Sequence, residues 1–152
     1  MLHQPISVWG DLLVSANAST SLLAADEISK MTTRIAVVDD DASVRTALRR
    51  LLETSSYELQ IFESACEFIK NLPRGMPECL ITDLQMPNMT GLELQHHLNR
   101  SGVKIPTIVI TAFDERDTRE KCFVAGAVAY LLKPIRKATL IDAINKAIEI
   151  SK

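Results

Sequence analysis

Polar side chains in this sequence stand where short apolar runs end, and together they have the chemistry to handle phosphate. Three consecutive aspartates at 39–41 follow the first run, and Asp83 follows the third. Thr111 closes the fourth run, and Lys133 closes the fifth. Carboxylates bind hard divalent cations such as Mg²⁺, while a hydroxyl and an ammonium add a donor and a fixed positive charge. Such a set can stabilise a phosphoryl group in transfer, with one carboxylate as the nucleophile.

These side chains meet only if the ends of separate apolar runs lie side by side in the fold. The runs alternate with segments whose apolar residues recur every three or four positions, as in amphipathic helices. Strands are predicted at residues 34–38, 59–62, 79–82, 107–111 and 129–132. Most are nearly continuous apolar stretches, which is typical of parallel strands covered on both faces. Functional sites of such sheets lie outside the carboxyl ends of the strands.

The predicted helices carry start signals and an inward apolar face. Residues 64–67 and 90–93 match the capping box, and Asp41 is expected to cap the first helix. The inward positions are 44, 48, 51 and 52 in the first helix, and 140, 141, 144 and 148 in the last. Five alternating strand and helix pairs predict a parallel sheet with helices on both faces. Neither a GxGxxG fingerprint nor a P-loop is present, which disfavours those nucleotide sites.

Composition narrows the possible functions. The chain has 152 residues, 47% of them hydrophobic, and a formal net charge of −2, which suits one globular domain. Without a basic cluster, we expect no binding to nucleic acid or anionic membranes. No apolar stretch approaches the roughly 18 residues of a membrane span, and residues 1–29 lack the basic residues of a secretory signal, so a cytoplasmic protein is expected. Cys66, Cys79 and Cys122 are widely spaced and predict buried or half-buried free thiols.

Four motifs resemble those of receiver domains of two-component response regulators, and the resemblance covers residues 34–152. They are VVDD at 37–40, TDLQMPNMTGLEL at 82–94, IVITA at 108–112, and the Lys133-Pro134 pair after a strand. The second motif is close to the form typical of FixJ-like regulators. The resemblance implies a flavodoxin-like, doubly wound α/β fold with five parallel strands in the order 2-1-3-4-5 and five helices. It also implies a signalling protein that catalyses only its own phosphoryl transfer and slow dephosphorylation.

By position in these motifs, the resemblance assigns a role to each site residue. Asp83 matches the phospho-accepting aspartate. Asp40 matches the acid that binds Mg²⁺ directly, and Asp39 matches the acid that binds it mostly through water. The backbone carbonyl of Gln85 matches the third protein ligand of the ion. Lys133 matches the lysine that pairs with the Asp83 carboxylate and later with its phosphoryl group.

The resemblance also implies a switch and its partners. Thr111 matches the hydroxyl residue that moves to bond the phosphoryl group, and Tyr130 matches the aromatic residue that then turns inward. The Lys133-Pro134 peptide is expected to be cis. The predicted fourth helix, fifth strand and last helix, residues 116–152, form the face expected to change shape. The implied partners are a histidine kinase or phosphotransfer protein, and a homodimer through the changing face is a further possibility.

Three other interpretations of the site residues stay open. The aspartates at 39–41 are also suited to a solvated turn with a helix cap. A phosphohydrolase of the haloacid dehalogenase type uses a similar set of groups, but it expects Thr or Val where Ser43 stands and a later acidic pair that is missing here. A receiver-like interaction module that takes no phosphate usually lacks one of the acids or the lysine, and all are present here.

Residues 1–33 depart from the resemblance and are expected to form a mobile, non-catalytic extension before a receiver domain at 34–152. Two explanations are open for this tract. One is translation of an upstream stretch with an in-frame start at Met31. The other is a short helix at 11–23 that docks on the domain or on a partner.

Overall fold

The computed structural model describes residues 32–151, which form a five-stranded sheet with helices on both faces. The strands are β1 (Thr33–Val38), β2 (Tyr57–Phe62), β3 (Cys79–Asp83), β4 (Thr107–Thr111) and β5 (Ala127–Leu132). The helices are α1 (Ala42–Leu52), α2 (Ala65–Asn71), α3 (Gly91–Arg100), α4 (Arg116–Val124) and α5 (Lys137–Ser151), with a short 3-10 helix at Leu72–Arg74. Residues 1–31 of the predicted extension at 1–33 lie outside the described residues, so their expected mobility stays a prediction, whereas Thr33 already belongs to β1 and the predicted boundary is too late by one residue.

All neighbouring strands pair in parallel, in the order β2-β1-β3-β4-β5. This order confirms the predicted flavodoxin-like fold. The central strands β3 and β4 are buried along their whole length, because helices cover both faces. The edge strands β2 and β5 are only half-buried in most positions, and each begins two residues earlier than predicted. An edge strand tolerates polar residues such as the exposed Glu58, which interrupts the apolar run used to find it.

Apolar clusters on the two faces of the sheet hold the helices in place. The larger one joins β1, β3 and β4 to α1 and α5, and its largest fully buried helical side chains are Leu48, Leu52, Leu140 and Ile144. The other inward positions predicted for these two helices, at 44, 51, 141 and 148, pack against the same cluster. On the opposite face, the rings of Phe62 and Phe68 meet edge to face at 5.5 Å. These clusters fix the strand ends relative to one another.

Side chains cap the helices largely as the sequence predicts. Asp41 accepts a hydrogen bond from the Ser43 amide at 2.8 Å, and the capping box at Thr90 and Glu93 is complete. The box predicted at 64–67 is only half formed. Ser64 accepts from the Glu67 amide, but the Glu67 carboxylate accepts from the amide of residue 63 instead of that of the cap. The reciprocal bond predicted there is therefore wrong.

Two of the three cysteines are buried and one is exposed. Cys79 and Cys122 lie in the core, and burial raises the pKa of the Cys79 thiol to about 12. Cys66 faces solvent on α2, so the expectation that all three thiols are at least half-buried is wrong. All three are free thiols, as predicted. Within residues 32–151, no helix combines the length and apolar character needed to cross a bilayer.

Candidate functional site

Three strand ends bring acidic groups and an ammonium to one rim of the sheet. Asp39 and Asp40 follow β1, Asp83 ends β3, and Lys133 follows β5. Each of the three acids places a carboxylate oxygen within 4.8 Å of the others. The Lys133 Nζ lies 3.2 Å from Asp39 Oδ2 and 3.3 Å from Asp83 Oδ1. The structure therefore brings together the charged residues that the sequence predicts at one site. The Lys133-Pro134 peptide is cis, as expected.

Burial dominates the electrostatics of this site. Desolvation raises the pKa of Asp39, against the opposing effects of the Asp41 amide, which donates to it at 2.9 Å, and of Lys133. Desolvation and the nearby charge of Asp39 raise the pKa of Asp83, against Lys133 and the Gln85 amide. Burial alone would lower the pKa of Lys133, but the two carboxylates outweigh it and raise that pKa. The lysine therefore remains an ammonium beside acids that ionise reluctantly.

The site fits a hard divalent cation. Its donor atoms are carboxylate oxygens, and three acids face a single lysine, so negative charge is under-compensated. Asp39 Oδ2 is buried, and its contact with Lys133 Nζ at 3.2 Å is an ion pair without hydrogen-bond geometry, which leaves lone-pair capacity for an ion or its hydration shell. Asp40 is exposed and approaches from the solvent side. The carbonyl of Gln85 stays a predicted ligand, since the contact that the structure shows for this residue is made by its amide.

Thr111 and Tyr130 meet at one backbone carbonyl in the segment between β4 and α4. The buried Thr111 hydroxyl donates to the Phe113 carbonyl at 3.3 Å and accepts from the Phe113 amide at 3.2 Å. The Tyr130 hydroxyl donates to the same carbonyl at 3.3 Å. Desolvation is the largest effect that raises the pKa of Tyr130. The two residues predicted as a switch thus share an acceptor, and the Thr111 hydroxyl is engaged away from Asp83.

Sequence reasoning missed two residues that support the acidic rim. Arg45 donates from Nη1 to the Asp39 carbonyl at 2.8 Å and pairs with Glu63 at 3.6 Å, so it ties the loop after β1 to the loop after β2. Gly91 begins α3, and a Cβ there would lie 2.4 Å from the Asp83 carbonyl oxygen. An arginine one turn into a helix and a glycine after a capping Thr are weak signals by themselves. Their roles depend on contacts that only the fold creates.

Comparison with known proteins agrees with this geometry. The model of the response regulator receiver domain family matches residues 35–145. The chain is 36% identical over 116 residues to the transcriptional regulatory protein TdiR of Thauera aromatica, and this alignment covers 76% of this chain and 51% of TdiR. It is 35% identical over 117 residues to the response regulator TodT of Pseudomonas putida, covering 77% of this chain and 52% of TodT. The chain spans about half the length of these relatives.

Solved structures give the same result. The crystal structure of FixJ-N superposes with a TM-score of 0.73 at 33% identity, covering 78% of this chain and 95% of that one. The response regulator StyR superposes with a TM-score of 0.73 at 35% identity, covering 79% of this chain and 61% of that one. Members of the family are signalling proteins rather than enzymes with a separate substrate. Fold, site and similarity together show that this chain belongs to the response regulator receiver domain family.

Proposed function

We propose that this chain is a phosphorylation-activated receiver domain, which accepts one phosphoryl group on Asp83 with Mg²⁺ and then alters its α4–β5–α5 face. The convergence of three carboxylates within 4.8 Å, with Lys133 bridging two of them, carries this proposal. Asp83 lies at the centre of the rim, because its strand β3 sits between β1 and β4. It is the acid best placed to be approached by both the lysine and a bound cation.

The proposed reaction is a displacement at phosphorus. A carboxylate oxygen of Asp83 attacks the phosphorus of the donor, and the bond between phosphorus and the donor atom breaks. The electron pair of that bond leaves with the donor, and an acyl phosphate remains on Asp83. Asp39, Asp40, Asp83 and the Gln85 carbonyl would hold Mg²⁺, which when bound supplies positive charge to the phosphoryl oxygens. The donor in the cell is proposed to be the phosphohistidine of a histidine kinase or phosphotransfer protein.

The proposed switch follows from the change of charge on Asp83. Lys133 Nζ, now between Asp39 and Asp83, would pair with the phosphoryl group. Thr111 would exchange its bond to the Phe113 carbonyl for one to a phosphoryl oxygen, and Tyr130 would then settle inward while it keeps its bond to that carbonyl. The conformer that makes these bonds is stabilised, so phosphorylation shifts the population towards it.

The α4–β5–α5 face is the proposed surface for a partner or a second copy of the chain. Its exposed apolar side chains are Phe123, Val124, Leu132 and Ile150. Exposed apolar side chains on these three elements suit a protein contact that forms when the face changes shape. Because TdiR is a transcriptional regulatory protein, control of transcription is one proposed use of this contact.

The proposed function predicts uptake of one phosphoryl group from acetyl phosphate in the presence of Mg²⁺. Intact mass spectrometry should show a single addition that EDTA prevents, and peptide mapping should place it on Asp83. Asp41→Asn is the matched control, since the Asp41 carboxylate caps α1 by accepting from the Ser43 amide and Asn also caps helices, so this variant should be labelled like the parent. No uptake, or uptake on another residue, would refute the assignment. Continuous turnover of an aryl phosphate would indicate a phosphohydrolase instead.

Gly91→Ala should slow this uptake at least about tenfold, because the new Cβ would displace the backbone of the acceptor. That Cβ would lie 2.4 Å from the Asp83 carbonyl oxygen and 3.1 Å from the Leu84 Cα, and neither is a flexible side-chain atom. We also expect a loss of about 1–3 kcal/mol in the free energy of unfolding. Gly102→Asn is the control, because its φ of +71° suits Asn and nothing lies within 4 Å. A parent-like rate in Gly91→Ala would contradict the positioning argument.

A further inference from the structure

Arg119 on α4 makes two contacts that converge on the segment between β4 and α4. Its Nη2 lies 2.8 Å from both carboxylate oxygens of Asp114. Its Cζ lies 5.6 Å from the centroid of the Tyr130 ring, within the range of a cation–π contact. Arg119 therefore links α4, the preceding segment and strand β5. Both members of the ion pair are partly exposed, at 45% and 42%, so each contact is individually weak.

These contacts bear on the carbonyl that Thr111 and Tyr130 share. Asp114 directly follows Phe113, whose carbonyl accepts from both hydroxyls at 3.3 Å. An anchor on Asp114 therefore restrains the peptide that carries this carbonyl. The cation over the ring restrains the second donor, Tyr130. Arg119 and Asp114 together therefore restrain the Phe113 carbonyl, which accepts the bond that Thr111 must give up to reach Asp83, and Tyr130, which donates to the same carbonyl.

The C-terminal end of α4 is held by hydrogen bonds from Gln95 and Asn99 to the Cys122 and Ala125 carbonyls, whereas the start of the helix has little buried surface to set its position. Cys122 is the only buried residue among Arg116–Val124, all of which the structure describes. Glu115, at the N-cap position, makes no side-chain capping bond to the helix backbone. With so little buried surface, the start of α4 depends on local polar contacts, and a modest change in them is enough to shift it.

We infer that Arg119 and Asp114 form a positioning pair, which holds Tyr130 and the Phe113 carbonyl in the arrangement that keeps Thr111 away from Asp83. This inference rests on the proposed function and adds to it a restraint that biases the unphosphorylated chain towards its resting conformer. Loss of the pair raises the population of the conformer in which Thr111 faces Asp83. A ligand that selects that conformer then binds with a higher apparent affinity.

The test uses beryllofluoride, a phosphoryl mimic, with Mg²⁺ on the full chain. Arg119→Ala should bind it about two- to fivefold more tightly than the parent, as loss of a weak surface pair predicts. Asp114→Asn should do the same, and Arg119→Lys should lie between, since it keeps the cation but loses the paired contact. Arg116→Ala is the matched control, because Arg116 is 89% exposed on the same helix and, among residues 32–151, pairs only with Glu120. Its affinity should equal that of the parent.

A second measurement follows the ring of Tyr130 directly. The chain has only two tyrosines, so selective ring labelling gives one NMR signal for Tyr130 and one for Tyr57, the internal reference. In Arg119→Ala without ligand, the Tyr130 signal should move towards its position in the beryllofluoride complex. In a Tyr130→Ala background, removing Arg119 should change the affinity less than it does in the parent, because the cation–π contact is already gone and only the Asp114 anchor is left to lose. Equal affinities for Arg119→Ala and Arg116→Ala, or an unmoved Tyr130 signal, would overturn the inference.

The failure of the proposed function would look different. In that case the parent chain would bind no beryllofluoride and take up no phosphoryl group, and the inference would fall with it. A parent that binds the mimic, with Arg119→Ala binding it equally well or less well, would refute the positioning pair alone.

Discussion

Asp83→Asn is expected to take up no phosphoryl group from acetyl phosphate, and in EDTA at neutral pH it should unfold at a higher temperature than the parent. Uptake fails because a neutral amide oxygen is a poor nucleophile. Stability rises because burial raises the pKa of Asp83, so ionising this carboxyl in the folded chain carries a cost that the amide avoids. Adding Mg²⁺ should stabilise the parent more than the variant. Intact mass spectrometry measures the uptake, and thermal unfolding with and without Mg²⁺ measures the stability.

In EDTA, the gain in stability of Asp83→Asn over the parent should grow as the pH rises. In the folded chain, the pKa values of Asp39 and Asp83 lie above the ordinary value of 3.8, so both carboxyls stay protonated to a higher pH. The folded chain therefore binds more protons than the unfolded one just above that value, and the free energy of unfolding falls as the pH passes through the folded pKa values. In EDTA, the gain from Asp83→Asn should be larger at pH 7 than at pH 4. A gain that is equal at both pH values would contradict this explanation.

Lys133→Met should lower the free energy of unfolding by about 3 kcal/mol at pH 8 in EDTA, as expected when one member of a buried ion pair is removed. The lysine is only 22% exposed and lies within 3.3 Å of carboxylate oxygens on both Asp39 and Asp83. Without it, two buried carboxylates would repel each other uncompensated. The variant should still bind Mg²⁺, yet after phosphorylation it should bring about little of the change at α4–β5–α5. Urea unfolding and NMR of the Tyr130 ring measure the two effects.

The loss caused by Lys133→Met should shrink at pH 4, where the two carboxyls take up protons, and should be partly reversed by Mg²⁺. Lys137→Met is the control, because Lys137 is exposed and, within the described part of the chain, its ammonium donates only to the Thr54 hydroxyl at 2.8 Å. We expect it to stay within about 0.5 kcal/mol of the parent. If the losses for Lys133→Met were equal at pH 4 and pH 8, the packing of its side chain, and not its charge, would be responsible.

The sheet and its acidic rim were accessible from the sequence because both follow from local patterns. Continuous apolar runs mark β3 and β4, and the strand order follows from the family resemblance. Parallel strands end at one edge, so residues at their carboxyl ends, such as Asp83 and Lys133, must lie near one another. The ion pairs of Lys133 could therefore be predicted without knowledge of side-chain packing.

Contacts set by tertiary distance could not be found in this way. Arg119 and Asp114 resemble any surface pair in sequence, and their relation to Tyr130 depends on how α4 lies beside β5. The need for glycine at position 91 appears only when α3 rests on the end of β3. The exposure of Cys66 likewise depends on which side of α2 meets the sheet, and the short apolar pattern of that helix did not settle it.

The Phe113 carbonyl accepts two hydroxyls at once, and this arrangement affects how easily the protein can respond. If Thr111 turns away, Tyr130 continues to satisfy the carbonyl, so no acceptor is stranded without a partner. The rearrangement then gives up two long hydrogen bonds of Thr111, the one donated to the Phe113 carbonyl at 3.3 Å and the one accepted from the Phe113 amide at 3.2 Å. Because both bonds are long, the free-energy gap between the two arrangements stays small. We therefore expect a graded response, in which a measurable fraction of molecules adopts the signalling shape before any phosphate arrives.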